Sequence, residues 1–432
     1  MHRFHIVFAL CVLLLSCSGL QRTNHSNPSF VALDYSLYSP LLVKDQLPAP
    51  QSIKSVQLYR KGNKQNPPII KLGTSARIVL EFDELSSLSG QYTIRFTHHN
   101  QDWSSSNIPD VWFLDGINDL LVQNGDVNRL SQPNFYRYKT EFPNQQIKFK
   151  ASGNYLLHVY DFSSNTELFS LPFFVTEDMG AITSNSETVY NSGSRYSTIN
   201  QLFSEYQYPE DITMPQFDLT FSYVQNRFWG NYISPSEKDV SNPGKIRFYT
   251  ARGNSFSAEF DFIPLDLSEL NINNRRIVDW QPEITPPRII LKEDVINFSA
   301  SPTPTYSSSF GNPSSTNFDR YANVRFSLEL GAINNSNPEI YVSGDFNQWR
   351  TDSQYKLFKN NESGLWETNV IMKQGKYRYK YFLKSEYSDS DFVPLNDAIT
   401  NVKQEYFGFV YYRDPEYNYQ RLLITTNFDS ND

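Results

Sequence analysis

Cysteine is almost missing from this sequence: the only two, Cys11 and Cys17, both fall within its first seventeen residues. A chain this long without further thiols has no disulfide framework and no thiolate metal site, so its stability has to come from packed cores. Basic runs are lacking too. Lys and Arg number 38 against 46 Asp and Glu, and the formal charge of −8 argues against a nucleic-acid partner. After Cys17 no stretch approaches the roughly eighteen continuous apolar residues that a spanning helix needs. Neither a Gly-x-Ser-x-Gly elbow, a phosphate loop, a His-Glu-x-x-His helix nor a Cys-x-x-Cys pair occurs. These absences leave no catalytic residue, no metal ligand set and no cofactor to name.

What is present begins with an export signal. Residues 1–16, MHRFHIVFALCVLLLS, join one arginine to a short apolar run, and the small residue before Cys17 fits a lipoprotein pattern in which that thiol is acylated. The alternative is an ordinary cleaved signal that takes Cys17 with it. Loss of Arg3 with the signal moves the charge from −8 to −9. Residues 17–49 are polar and carry prolines 28, 40 and 48, which suits a lipidated tether and lead-in segment. No acidic residue follows directly in Ser18-Gly19-Leu20, so the expected site is the periplasmic side of the outer membrane, held by the lipid.

The remainder reads as all-β. Aromatic residues make up 15% of the chain, and short runs of period two end near Gly, Asn, Pro or Asp. Val56–Tyr59, Arg77–Phe82, Tyr92–Phe96, Ile147–Lys150 and Tyr155–Tyr160 are examples, and they predict an N-terminal β-sandwich over 50–177. Thr183–Ser197, mostly small and polar, reads as a linker. A second strand set predicts a middle β-domain over 199–298, and the Ser/Pro/Thr-rich stretch 301–316 separates it from a third over 320–425. The expectation is three Ig-like sandwiches in series.

Chemistry-bearing residues are few. His25, His98, His99 and His158 are the histidines left after the signal, and adjacent His98 and His99 would point to opposite faces of a strand. Asp389-Ser390-Asp391 lacks the Gly and the distant Glu of a calcium loop. Asp83-Glu84 with Asp102 are the carboxylates that glycoside hydrolysis would need across a cleft, with nothing in the sequence to place them so.

One phrase suggests sugar. Ser343-Gly344-Asp345-Phe346-Asn347-Gln348-Trp349, followed by Tyr377-Arg378-Tyr379-Lys380-Tyr381-Phe382, resembles the glycogen-binding modules over about 338–383. That resemblance implies that Trp349 stacks on a glucose ring and that Lys380 bonds its hydroxyls. The second stacking tryptophan of those modules is absent, its place taken by Leu383-Lys384-Ser385-Glu386-Tyr387-Ser388. An α-glucan-binding outer-membrane lipoprotein is therefore the alternative reading.

A wider resemblance spans about 50–425. Ser55-Val56-Gln57-Leu58-Tyr59-Arg60, Pro67-Pro68-Ile69-Ile70, Leu80-Glu81-Phe82-Asp83-Glu84, Asp102-Trp103-Ser104, Leu114-Asp115-Gly116, Ser152-Gly153-Asn154-Tyr155 and Val224-Gln225-Asn226-Arg227 occur in the same order as in a Bacteroidota family. The chain is similar to the type IX secretion system plug proteins, with Asn100 standing where a cysteine is expected before the Asp-Trp pair. The resemblance implies a non-enzymatic periplasmic protein that closes the mouth of a large outer-membrane translocon barrel, its partner.

Overall fold

The computed structural model describes residues 42–122, 124–190, 198–235, 237–296, 312–313, 319–331, 338–384, 392–395, 402–413, 415–416 and 419–430. They belong to one compact unit, Ser36–Asp432. The signal, Cys17, His25, most of the Ser/Pro/Thr stretch, Ser385–Ser388 and Asp389–Asp391 lie outside the described residues. The fold is all-β. The two α-helices among the described residues, Asp110–Phe113 and Pro215–Asp218, are four residues each.

The first sandwich pairs two sheets. One holds Ile53–Arg60, Ile78–Glu84, Phe135–Phe142 and Asp126–Asn128; the other holds Ile69–Lys71, Glu167–Thr176, Gly153–Asp161, Tyr92–His99 and Leu120–Val122. Alternation along each strand sends Leu80, Phe82, Ile94, Phe96, Tyr155 and Phe173 into one shared core. Its aromatic rings pack mostly edge to face: Phe82 and Tyr92 lie 5.3 Å apart at 76°.

The second sandwich is closed by the end of the chain. Glu405–Arg413 lies antiparallel between Leu219–Gln225 and Gln420–Asp429. Its facing sheet contains Ala181–Tyr190, Thr198–Gln207, Lys245–Tyr249 and Glu237–Asp239. Conversely, Ile263–Asp266, Ile277–Gln281 and Arg288–Leu291 join strands Tyr321–Leu330, Ile340–Gly344, Trp366–Lys373 and Gly375–Lys384 in the third sandwich. The core groupings agree, with Leu265 and Ile289 in the third and Val410 and Leu423 in the second. The third sandwich is thus inserted into the second, so the sheets depart from the serial order expected from the sequence. Strand pattern fixes which residues face inward, but not which neighbour each strand pairs with.

The small, polar stretch after Thr183 also departs from the linker reading. Residues 183–190 lie in an edge strand paired along its whole length with Thr198–Gln207. An edge strand needs a backbone partner but few buried side chains, and its residues are only half-buried or exposed.

Candidate functional site

The three sandwiches meet through buried groups. Between the first and third, Asp83 accepts from Lys373 Nζ at 2.5 Å, from the Tyr321 hydroxyl at 2.9 Å and from Arg137 at 3.4 Å. Arg137 also bonds Asp319 at 3.0 Å, and Lys373 lies 3.7 Å from that carboxylate. Two carboxylates therefore face two cations, with the Asp83, Asp319 and Lys373 side chains each at most 3% exposed. Burial pulls Lys373 below the usual lysine value, and the Asp83 charge opposes that pull. Asp83 is thus a member of a satisfied joint. Asp102 is exposed and accepts from its own turn through Ser104, so the two carboxylates hold separate structural roles.

The first and second sandwiches share an apolar joint. Trp103, Leu156 and Phe174 from the first meet Trp229, Phe407, Phe409 and Tyr411 from the second. Strand Glu405–Arg413 is buried on both faces: Tyr406 and Val410 point into its own core, and Phe407, Phe409 and Tyr411 point into the joint. Polar groups fix the register. Gln101 Nε2 donates to Phe221 O and Ser222 Oγ, each at 2.7 Å, and Arg421 grips Glu177 at 2.8 and 2.6 Å.

All three sandwiches line a cleft of ≈ 180 Å³, whose walls include Leu58, Lys64, Arg227, Trp229, Trp349 and Arg378. Two tight turns face it. Asn226 and Arg227 (φ 53 and 60) form one, closed by Phe228 N–H donating to Gln225 O at 3.0 Å. Gln348 and Trp349 (φ 56 and 57) form the other, closed by Arg350 N–H donating to Asn347 O at 3.3 Å. Two successive positive φ values make these type I′ turns, which favour Asn-Gly; a bulky residue there costs roughly 1–2 kcal/mol. The surroundings hold the strain. Arg227 forks onto Glu405 at 3.0 and 3.1 Å and donates to Gln65 O, a bridge from the second sandwich to the first.

The sugar-like phrase is used up by the same junction. Trp349 is 1% exposed, packed against Phe228 and Phe262 at 5.3 and 5.2 Å, with its indole N–H donating to Asp345 at 3.0 Å. Asp345 also accepts from the Arg378 guanidinium at 3.1 and 3.2 Å and from its backbone N–H at 2.7 Å. Gly344 is required by close approach: a Cβ there would sit 2.4 Å from Arg378 O. Lys380 is fully buried, its Nζ on Asp261 at 2.5 Å. Neither Trp349 nor Lys380 presents a surface on which a sugar ring could stack or bond, because packing between sandwiches occupies both.

The histidines are structural in their surroundings. His98 and His99 do take opposite faces: His98 bonds Ser106 Oγ and Ser152 O, while His99 bonds Thr97 Oγ1 and Trp103 O. Burial pushes His98 down to about 4. Among the described residues no group of three His, Cys, Asp or Glu side chains is placed to hold a metal ion. Sequence reasoning missed the joint residues Arg137, Asp319 and Lys373; Asp83 and Lys373 are 290 positions apart, and no local signal links them.

Comparison with known families places the first sandwich. Residues 53–177 match the type 9 secretion system plug protein 1st domain. The chain carries the first domain of the type 9 secretion system plug family. The boundaries coincide with the first sandwich as the sheets define it, and the resemblance read from its phrases stands there. Over 89% of its length the chain has the fold of a hypothetical protein from Parabacteroides merdae, with a TM-score of 0.78 and 22% identity, covering 99% of that chain. A 71-residue stretch, 16% of the chain, is 34% identical to the 1,4-alpha-glucan branching enzyme GlgB 1 of Clostridium perfringens, in strains SM101 and 13 alike. The match spans only 10% of that enzyme's length.

Proposed function

We propose that this plug-family protein is a non-enzymatic body that closes the periplasmic mouth of the type IX outer-membrane translocon barrel in its resting state. The family match over 53–177 carries the reading, since it ties the chain to type 9 secretion, to a translocon component as partner and to the envelope near the outer membrane. The joints support it physically. A water-filled barrel wide enough for cargo leaks solutes unless a rigid object fills its opening. Three sandwiches locked by neutralised buried charges and two aromatic clusters behave as one object rather than as beads on a string.

In this reading Cys17 carries the lipid that holds the protein to the periplasmic face of the outer membrane and raises its local concentration at the barrel. Deleting the gene tests the function: the outer membrane should become permeable to bulky antibiotics, and re-expression should restore the barrier. An unchanged barrier in a strain that still makes the translocon would contradict it.

A further inference from the structure

Four hydrogen bonds run end to end across the face of the first sandwich that its own core does not use. Glu167 Oε1 meets His158 Nδ1 at 2.7 Å, His158 Nε2 meets Thr97 Oγ1 at 2.8 Å, Thr97 Oγ1 meets His99 Nε2 at 2.8 Å, and His99 Nδ1 meets Trp103 O at 2.9 Å. The chain of bonds crosses three neighbouring strands, Glu167–Thr176, Gly153–Asp161 and Tyr92–His99. Leu156 and Phe174 lie on the same face and enter the joint with the second sandwich, as the Trp103 indole does. The far end of the chain of bonds therefore belongs to that joint.

Both of its ends can only accept. A carboxylate and a backbone carbonyl bring no hydrogen, so the four links are filled from between. Two neutral imidazoles contribute one hydrogen each and the Thr97 hydroxyl one, which makes three. At 2.7–2.9 Å a link without a hydrogen sets lone pair against lone pair. One further proton closes the set. Its place is His158, whose Nδ1 faces the Glu167 carboxylate; burial lowers His99, and a charge on His158 opposes a second one there. The neighbouring groups leave that placement intact. Arg95, opposite His158 on the next strand, holds Asp119 at 3.0 Å and lies over the Tyr160 ring at 4.6 Å, and Ser170 faces His158 from the other side. Tyr160 stands 6.5 Å from the His158 ring, while Asp45 and Asp102 favour a charged His99 without outweighing its burial.

We infer that Thr97 bridges a neutral His99 and a His158 imidazolium, and that this extra proton makes the joint between the first and second sandwiches pH-sensitive. Thr97 is exposed, which gives the proton a route to water. Once it leaves, three hydrogens remain for four links. The bond to the carboxylate is the strongest and keeps the His158 Nδ1 hydrogen, so the Thr97 hydroxyl turns to His158 Nε2. His99 then has one hydrogen for two acceptors, Thr97 Oγ1 and Trp103 O. The turn depends on that bond, because Trp103 is a bulky residue at φ 61 and Gln101 beside it donates to Phe221 O and Ser222 Oγ. The folded state binds the proton and the unfolded chain releases it at neutral pH, so the hold is full in acid and is lost as pH rises. The device belongs to the fold whether or not the protein is a plug.

Nitrogen-15 NMR of the full chain labelled at histidine tests the proton, with His99→Gln and His158→Gln assigning the signals. Near neutral pH His158 should show both ring nitrogens protonated and His99 one. A His158 ring with a single protonated nitrogen in the folded protein would overturn the inference. Hydrogen exchange read by mass spectrometry, corrected for intrinsic rates, tests the coupling. From about pH 6 to about pH 9 the protection of the turn around Trp103 should fall roughly fivefold or more, the worth of one hydrogen bond. Thr97→Val removes the bridge and should show no such fall, and Thr97→Ser should restore it. An equal fall in Thr97→Val, or constant protection in wild type after the His158 proton is lost, would overturn the coupling. The wild-type spectra and exchange decide even if Thr97→Val does not fold.

Discussion

Replacing Lys373 with Met should cost more stability than any single surface change in the protein. The Lys373 ammonium lies 2.5 Å from Asp83 and 3.7 Å from Asp319, and 4.9 Å from the centre of the Phe135 ring. With the amine gone, Arg137 alone faces two carboxylates, and one negative charge is left uncompensated in a site closed to water. Removing one partner of a buried pair costs about 3–5 kcal/mol. Replacing both, Asp83→Asn with Lys373→Met, leaves Arg137 and Asp319 paired at 3.0 Å and should recover at least about 1 kcal/mol of that loss. Urea unfolding followed by tryptophan fluorescence measures both. If Lys373→Met costs less than about 1 kcal/mol, or the double variant is as unstable as the sum of the singles, the joint is not held by this network.

Three further outcomes follow from the same packing. Trp349→Ala should destabilise by about 3–5 kcal/mol through the cavity it leaves, and calorimetry with malto-oligosaccharides should show no heat for wild type or variant; binding by wild type that the variant loses would restore the sugar reading. Gly153→Ala should destabilise by roughly 1–3 kcal/mol, because at φ 150 its Cβ would lie 2.2 Å from His98 Nε2. His98 is held at about 4, below its ordinary 6.5. The unfolded chain therefore binds the extra proton first, so stability is full above pH 6.5 and falls by about 3 kcal/mol as pH drops to 4. Histidine NMR titration on the folded protein would check it, and a His98 signal titrating near 6.5 would refute it.

Much of the architecture was legible because period-two strands advertise themselves. Leu80, Phe82, Ile94 and Phe96 alternate toward one core as their spacing predicts. Strand partnership was not legible, since nothing in Phe407-Gly408-Phe409-Val410-Tyr411 says that its neighbour is Leu219–Gln225. A hint existed: apolar residues at both parities there signal a strand covered on two faces, and the joint with the first sandwich is that second cover. Trp349 shows the other limit. An Asn-x-Trp turn has one local shape whether its indole meets a sugar or a neighbouring sandwich. Only Phe228 and Phe262, distant in sequence, decide which. Lys380 reads the same way, its counter-charge Asp261 lying 119 positions away.

The central claim is that this body closes a translocon barrel, and recovery of the tagged full-length protein from outer membranes in mild detergent tests it most directly. A very large outer-membrane β-barrel should be the main co-purifying protein, retained through a second purification step. Repeated recovery of the intact, lipid-attached protein without any such barrel would contradict it.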